Sequence, residues 1–99
     1  MLKKSLTIKE LQAYIKAKDY QPELKNAYFQ KLIEEVGELS EVIRKDKRLE
    51  DLGSIKGTIE EELYDVLYYV FCLANVYDID LEQSFHLKEE LNKKKYINQ

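Results

Sequence analysis

From Leu6 onward the apolar residues recur at intervals of three and four, and no segment alternates with the period of a strand. The first stripe is Leu6, Ile8, Leu11, Tyr14 and Ile15. It begins beside Thr7, with Glu10 three residues on, a capping box that predicts a helix over 7–18. Asp19 to Pro22 breaks the pattern, and Pro22 suits the first turn of a second helix over 23–46. Thr58 with Glu61 forms another capping box and opens a third helix over 58–77. Asp80 with Gln83 starts a fourth over 81–96, which closes on Lys93, Lys94 and Lys95, cations that complement a helix C-terminus. Residues 48–57, with Gly53 and Gly57 among charges, read as the one loop free to move. The expectation is an all-α, four-helix bundle made by a single domain over 1–99.

Some acids fall on the wrong side of this pattern. On the second helix Tyr28, Phe29, Leu32, Val36, Leu39 and Ile43 define the expected core face. Glu35 projects between Leu39 and Val42, inside the apolar sector, with Glu38 at its border; Glu34 and Glu41 point to the polar side. The third helix is apolar nearly all round. Leu63, Val66, Leu67, Val70, Leu73, Ala74 and Tyr77 form one face, and Tyr64, Tyr68, Tyr69, Phe71 and Val76 cover most of the rest. Glu62 projects between Tyr69 and Leu73, and Asp65 between Cys72 and Val76. Each helix therefore stacks two acids, three residues apart, on an apolar surface.

Burying an unpaired carboxylate costs roughly several kcal/mol or forces it to take up a proton. Four of them in one place call for a compensating cation, and hard oxygen ligands at this density suit Mg²⁺ or Mn²⁺ beside a substrate's phosphates. A carboxylate-bridged di-iron centre is the rival, but it draws on Glu-x-x-His motifs, and the one histidine, His86, lies away from both pairs. Gly37, unfavourable inside a helix, suggests a close approach there by another chain or a ligand.

Composition narrows the classes. A chain of 99 residues is short for an almost wholly apolar helix to find cover within one copy, so self-association through apolar helix faces is expected. A net charge of -3 gives no general attraction to nucleic acid or an anionic membrane. No apolar run reaches a membrane span, and the chain reads as cytoplasmic. Cys72, alone on the apolar helix, reads as a small core residue.

The ordered pairs EVGE, Glu35 to Glu38, and ELYD, Glu62 to Asp65, together with KLIEEVGELSEVIRK and EELYDVLYYVFCLANVYDIDLEQSF around them, resemble the MazG-like nucleoside triphosphate pyrophosphohydrolases over residues 28–96. The resemblance implies Mg²⁺-dependent cleavage between the α and β phosphates of a nucleoside triphosphate, with Glu35, Glu38, Glu62 and Asp65 as metal ligands. It sets Lys88, Asn92 and Tyr96 near the phosphates or nucleotide, and it implies a homodimer or homotetramer. Within it, Glu34 is the candidate to accept a proton from the attacking water, and Lys31, one turn before Glu35, to neutralise phosphate oxygens. Tyr64, Tyr68, Tyr69 and Phe29 are the stacking candidates for a base. The tryptophan common in pyrimidine-selective members is missing, which leaves base preference open. The alternatives are phosphoribosyl-ATP hydrolysis and a non-catalytic module that retains a metal or nucleotide site, whose sign would be acidic pairs bridged by lysines.

Overall fold

The structure is a computed structural model that describes residues 4–97, with side chains described through Lys95. It is all-helical: α1 spans Ile8–Lys18, a 3-10 turn Pro22–Leu24, α2 Lys25–Arg44, α3 Leu49–Leu52, α4 Ile59–Val76 and α5 Leu81–Ile97. α2 and α4 form the central pair; α1 packs on α4, and α5 on α1.

The local signals act much as their chemistry requires. Thr7 and Glu10 close both halves of their capping box, at 3.0 and 2.9 Å. Asp80 accepts from the Gln83 amide at 3.2 Å and starts α5. At α4 the box is only half closed. Thr58 accepts from the Glu61 amide at 3.1 Å, but the Glu61 carboxylate turns to the Gly57 amide at 2.8 Å. Pro22 heads the 3-10 turn rather than α2 itself, so α2 begins at Lys25. The expected loop over 48–57 contains the single turn α3. Its Leu49 amide donates to Glu60 at 3.0 Å, and the Ile59 amide donates to the Lys47 carbonyl at 2.9 Å, tying the connector to the start of α4.

Ile15, Tyr28, Phe71, Cys72 and Val76 form the core, with Leu11, Tyr68, Tyr69, Leu73 and Leu81 packed against it. Cys72 is wholly buried as expected, and burial pushes its thiol up to about 11, which keeps it inert. The α2 face is rotated from the expected one. Tyr28, Leu32, Glu35, Leu39 and Val42 turn inward, whereas Phe29, Ile33, Val36 and Ile43 remain 49, 52, 47 and 53% exposed. Both sets repeat at four and three residues, and periodicity cannot tell which stripe the chain itself covers. The approach expected at Gly37 is not made by this chain, since a Cβ there would meet nothing within 4 Å.

Candidate metal centre

The antiparallel packing of α2 on α4 brings Glu35 against Glu62 and Asp65. One carboxylate oxygen from each lies within 4.8 Å of the others. Glu62 is only 7% exposed, and the Oε2 atoms of Glu35 and Glu62 are buried with no hydrogen-bond partner among the described residues. No ion pair among the described residues involves any of the three; the lysines and arginines pair instead with Glu34, Glu41, Asp46 and Glu90. The lysine bridges that would mark a purely structural acidic pair are therefore absent from the described residues.

This arrangement holds the acids back from ionising. Glu62 is pushed up to about 8, first by burial, then by its hydrogen bond with Glu35 and by the negative charges of Glu35, Glu38 and Asp65. Glu35 is raised chiefly by burial, opposed in part by its hydrogen bond with Glu62 and reinforced by the charges of Glu38 and Asp65. Asp65 is raised by burial, then by Glu61 and Glu38. Glu38 is exposed, one turn beyond Glu35, outside the tight group of three, yet its charge acts on all of them. Orphaned buried oxygens with no cation paired to them are what a hard divalent ion would satisfy, so the donor set fits Mg²⁺ or Mn²⁺.

The remaining expected site residues are distributed as follows. Lys31 and Glu34 form a 3.1 Å ion pair on α2, both more than half exposed. Lys31 also acts electrostatically on Tyr69, whose hydroxyl is raised mainly by burial and feels Glu35 as well. Lys88 and Asn92 lie on α5, which packs against α1. The Tyr96 side chain lies outside the described residues. Tyr64, Tyr68 and Tyr69 form a contiguous aromatic row on α4, with centroids 6.2 and 5.1 Å apart.

One group near this row was not expected from the sequence. Asp19, the C-cap of α1, accepts from the Tyr28 hydroxyl at 2.7 Å and from the Tyr68 hydroxyl at 2.6 Å. These bonds hold its carboxyl below the usual range. Nothing in the spacing of the three residues announces them, because the Tyr68 partner is 49 positions away.

Among known proteins, the MazG nucleotide pyrophosphohydrolase domain matches residues 24–97. The chain is 34% identical over 86 residues to the uncharacterized protein YpjD of Bacillus subtilis, covering 79% of this chain and 76% of that one. Two crystal structures of iMazG from Vibrio DAT 722 superpose with TM-scores of 0.82 and 0.84 at 55% identity, covering 89 and 92% of this chain and 99 and 98% of theirs. No helix among the described residues is long and apolar enough to cross a membrane. With paired acids on facing helices and a match over most of its length, this chain belongs to the MazG nucleotide pyrophosphohydrolase family.

Proposed function

We propose that the protein hydrolyses a ribo- or deoxyribonucleoside triphosphate to the monophosphate and pyrophosphate with Mg²⁺, Mn²⁺ being the substitute ion, in clearing surplus or non-standard nucleotides. The observation that carries this reading is the convergence of Glu35, Glu62 and Asp65 with two buried, unpartnered oxygens. Glu35, Glu38, Glu62 and Asp65 are the proposed ligands. A divalent ion bound there supplies neutralisation of the triphosphate and acidification of water.

The chain's own groups account for the rest. The Lys31–Glu34 pair is exposed, and solvent screening leaves such pairs weak. A phosphate oxygen can therefore take Lys31 away, leaving the Glu34 carboxylate free to accept the proton of the water that adds to the α phosphorus as pyrophosphate departs. Lys88, Asn92 and Tyr96 are proposed as substrate contacts on the family pattern alone, and the tyrosine row as the wall beside the base.

We assign residues 1–99 to one domain that self-associates as a homodimer or homotetramer. The apolar stripe Phe29, Ile33, Val36 and Ile43 supports this, as does a radius of gyration of 16.0 Å against about 13 Å for a compact 100-residue domain. The deciding assay supplies Mg²⁺ and a panel of nucleoside triphosphates, and measures pyrophosphate separately from orthophosphate. Release of orthophosphate alone, or of neither, would overturn the reading.

A further inference from the structure

Three carboxylates within 4.8 Å of one another repel once ionised, and the hydrogen bond between Glu35 and Glu62 is a slender tie to keep α2 and α4 in register before a cation arrives. Further hold comes from outside the group. On one side it is the connector, where Glu60 and Glu61 accept from the Leu49 and Gly57 amides. On the other it is Asp19. Its Oδ1 takes the hydroxyl of Tyr28 from α2, and its Oδ2 takes that of Tyr68 from α4, so one carboxylate pins the end of α1 to both helices of the central pair. The Tyr28 oxygen also accepts from the Gln21 amide at 3.1 Å, which ties in the turn that leads to α2.

The pin has a short route to the acids. Tyr28 lies two turns before Glu35 on the inward face of α2, and Tyr68 one turn, about 4.5 Å of rise, after Asp65. The Tyr68 ring meets Tyr69 edge-on at 5.1 Å and 83°, and the Tyr69 hydroxyl feels the charge of Glu35. Glu62 and Tyr69, seven residues apart, share one stripe of α4.

Resting on the metal-site reading above, we propose that Asp19, through Tyr28 and Tyr68, is a positioning residue for the metal centre: it fixes the α2–α4 spacing at which Glu35, Glu62 and Asp65 meet an ion. It touches neither the ion nor the substrate. Loss of supporting hydrogen bonds around metal sites lowers affinity by about 10- to 100-fold where the partner touches a ligand. For this more remote pin a loss of about 3- to 10-fold is expected.

The experiment measures Mn²⁺ affinity of the full chain, by the fraction of free Mn²⁺ in its EPR signal, for the unaltered protein, Tyr68→Phe, Tyr28→Phe, Asp19→Asn and Thr7→Ala. Thr7→Ala removes the N-cap at the far end of α1 and so weakens the same helix without touching the pin. Expected is a 3- to 10-fold weaker Mn²⁺ affinity in the three pin variants and none in Thr7→Ala at a similar loss of melting temperature. Tyr68→Phe keeps the ring and loses only the hydroxyl, so it decides the matter if Asp19→Asn does not fold. Unchanged affinity in Tyr68→Phe and Tyr28→Phe, or an equal loss in Thr7→Ala, overturns the positioning role alone. Absence of Mn²⁺ binding by the unaltered protein overturns the metal-site reading and this inference with it.

Discussion

Asp19 and Glu62 are both carboxylates set against the α2–α4 pair, and their surroundings are opposite. Asp19 accepts two tyrosine hydroxyls and is held below the ordinary carboxyl range, chiefly by Tyr68 and then Tyr28. Glu62 is raised to about 8, with burial the largest cause and three acidic neighbours adding to it. Hydroxyl donors were therefore available in this fold, and the acids at the centre were left without them. A carboxylate satisfied by the chain itself serves the fold; one left unsatisfied by the chain is open to a partner from outside it. The two should accordingly respond to substitution in opposite directions.

The largest effect is expected at Glu62. Glu62→Gln and Asp65→Asn should each lower pyrophosphate release at least about 100-fold, since removing a ligand costs no less than disturbing its support. Without metal, Glu62→Gln should at the same time melt higher than the unaltered protein at pH 8, because it removes a buried acid from three like charges. A variant that loses activity and stability together would make Glu62 a member of the core instead, and the contrast with Asp19 would fail.

Addition of Mg²⁺ comes next. An ion that binds only the folded arrangement stabilises it by about 2.7 kcal/mol at 100 times its dissociation constant. The sign with pH follows from Glu62. Folded protein holds its proton up to about 8 against a reference of 4.5, so between those values the folded state binds more protons than the unfolded one. Metal-free stability then falls as pH rises through that window, and the Mg²⁺-induced rise in melting temperature should be larger at pH 8 than at pH 5. Equal shifts at both values would separate the ion from these carboxylates.

How much of this contrast could be read along the chain depends on the range of the contacts. The acid pairs and caps are local, with spacings of three residues, and Thr7 with Glu10, Asp80 with Gln83 and Glu62 with Asp65 were legible, whereas Glu38 stays exposed outside the group and Glu61 turns to the Gly57 amide instead of closing its box. On α2 the expected face was half right, Tyr28, Leu32 and Leu39 turning inward while Phe29, Val36 and Ile43 do not, because Phe29, Ile33, Val36 and Ile43 repeat with the same period as Tyr28, Leu32, Leu39 and Val42. An apolar stripe looks the same whether its own chain or a second copy covers it. Asp19 was invisible for a different reason. Its partners come from two later helices, and a tyrosine that donates a hydroxyl is indistinguishable in sequence from one that only packs.

At Asp19 the expected cost is smaller and purely structural in sign. Asp19→Ala leaves two hydroxyls without their acceptor and should cost about 1–3 kcal/mol. That corresponds to a fall in melting temperature of about 4–8 °C for each kcal/mol in a domain of this size. Because its folded value lies below the reference of 3.8, the stabilisation is complete above that reference and lost as pH falls through the folded value. Thermal melts of Asp19→Ala and the unaltered protein should therefore converge in acid and separate near neutrality, the reverse of the trend carried by Glu62. Curves that stay parallel down to pH 2 would mean that the carboxylate's charge contributes nothing to the pin.

Gly37 offers the smallest and most pointed test, because it stands between Glu35 and Glu38 and its surroundings are open. Its backbone is helical, and a Cβ would meet nothing within 4 Å. Judged by the chain alone, Gly37→Ala should stabilise the protein by about 0.5–1 kcal/mol, the ordinary cost of glycine inside a helix. That rise should be visible in dilute metal-free protein by thermal melting. Space at Gly37 is then like the free Oε2 atom of Glu62, something the chain leaves unfilled at a cost to itself. A lower melting temperature together with weaker self-association would instead put the backbone of a second copy against this turn, and would extend the contrast from single carboxylates to a whole face of α2.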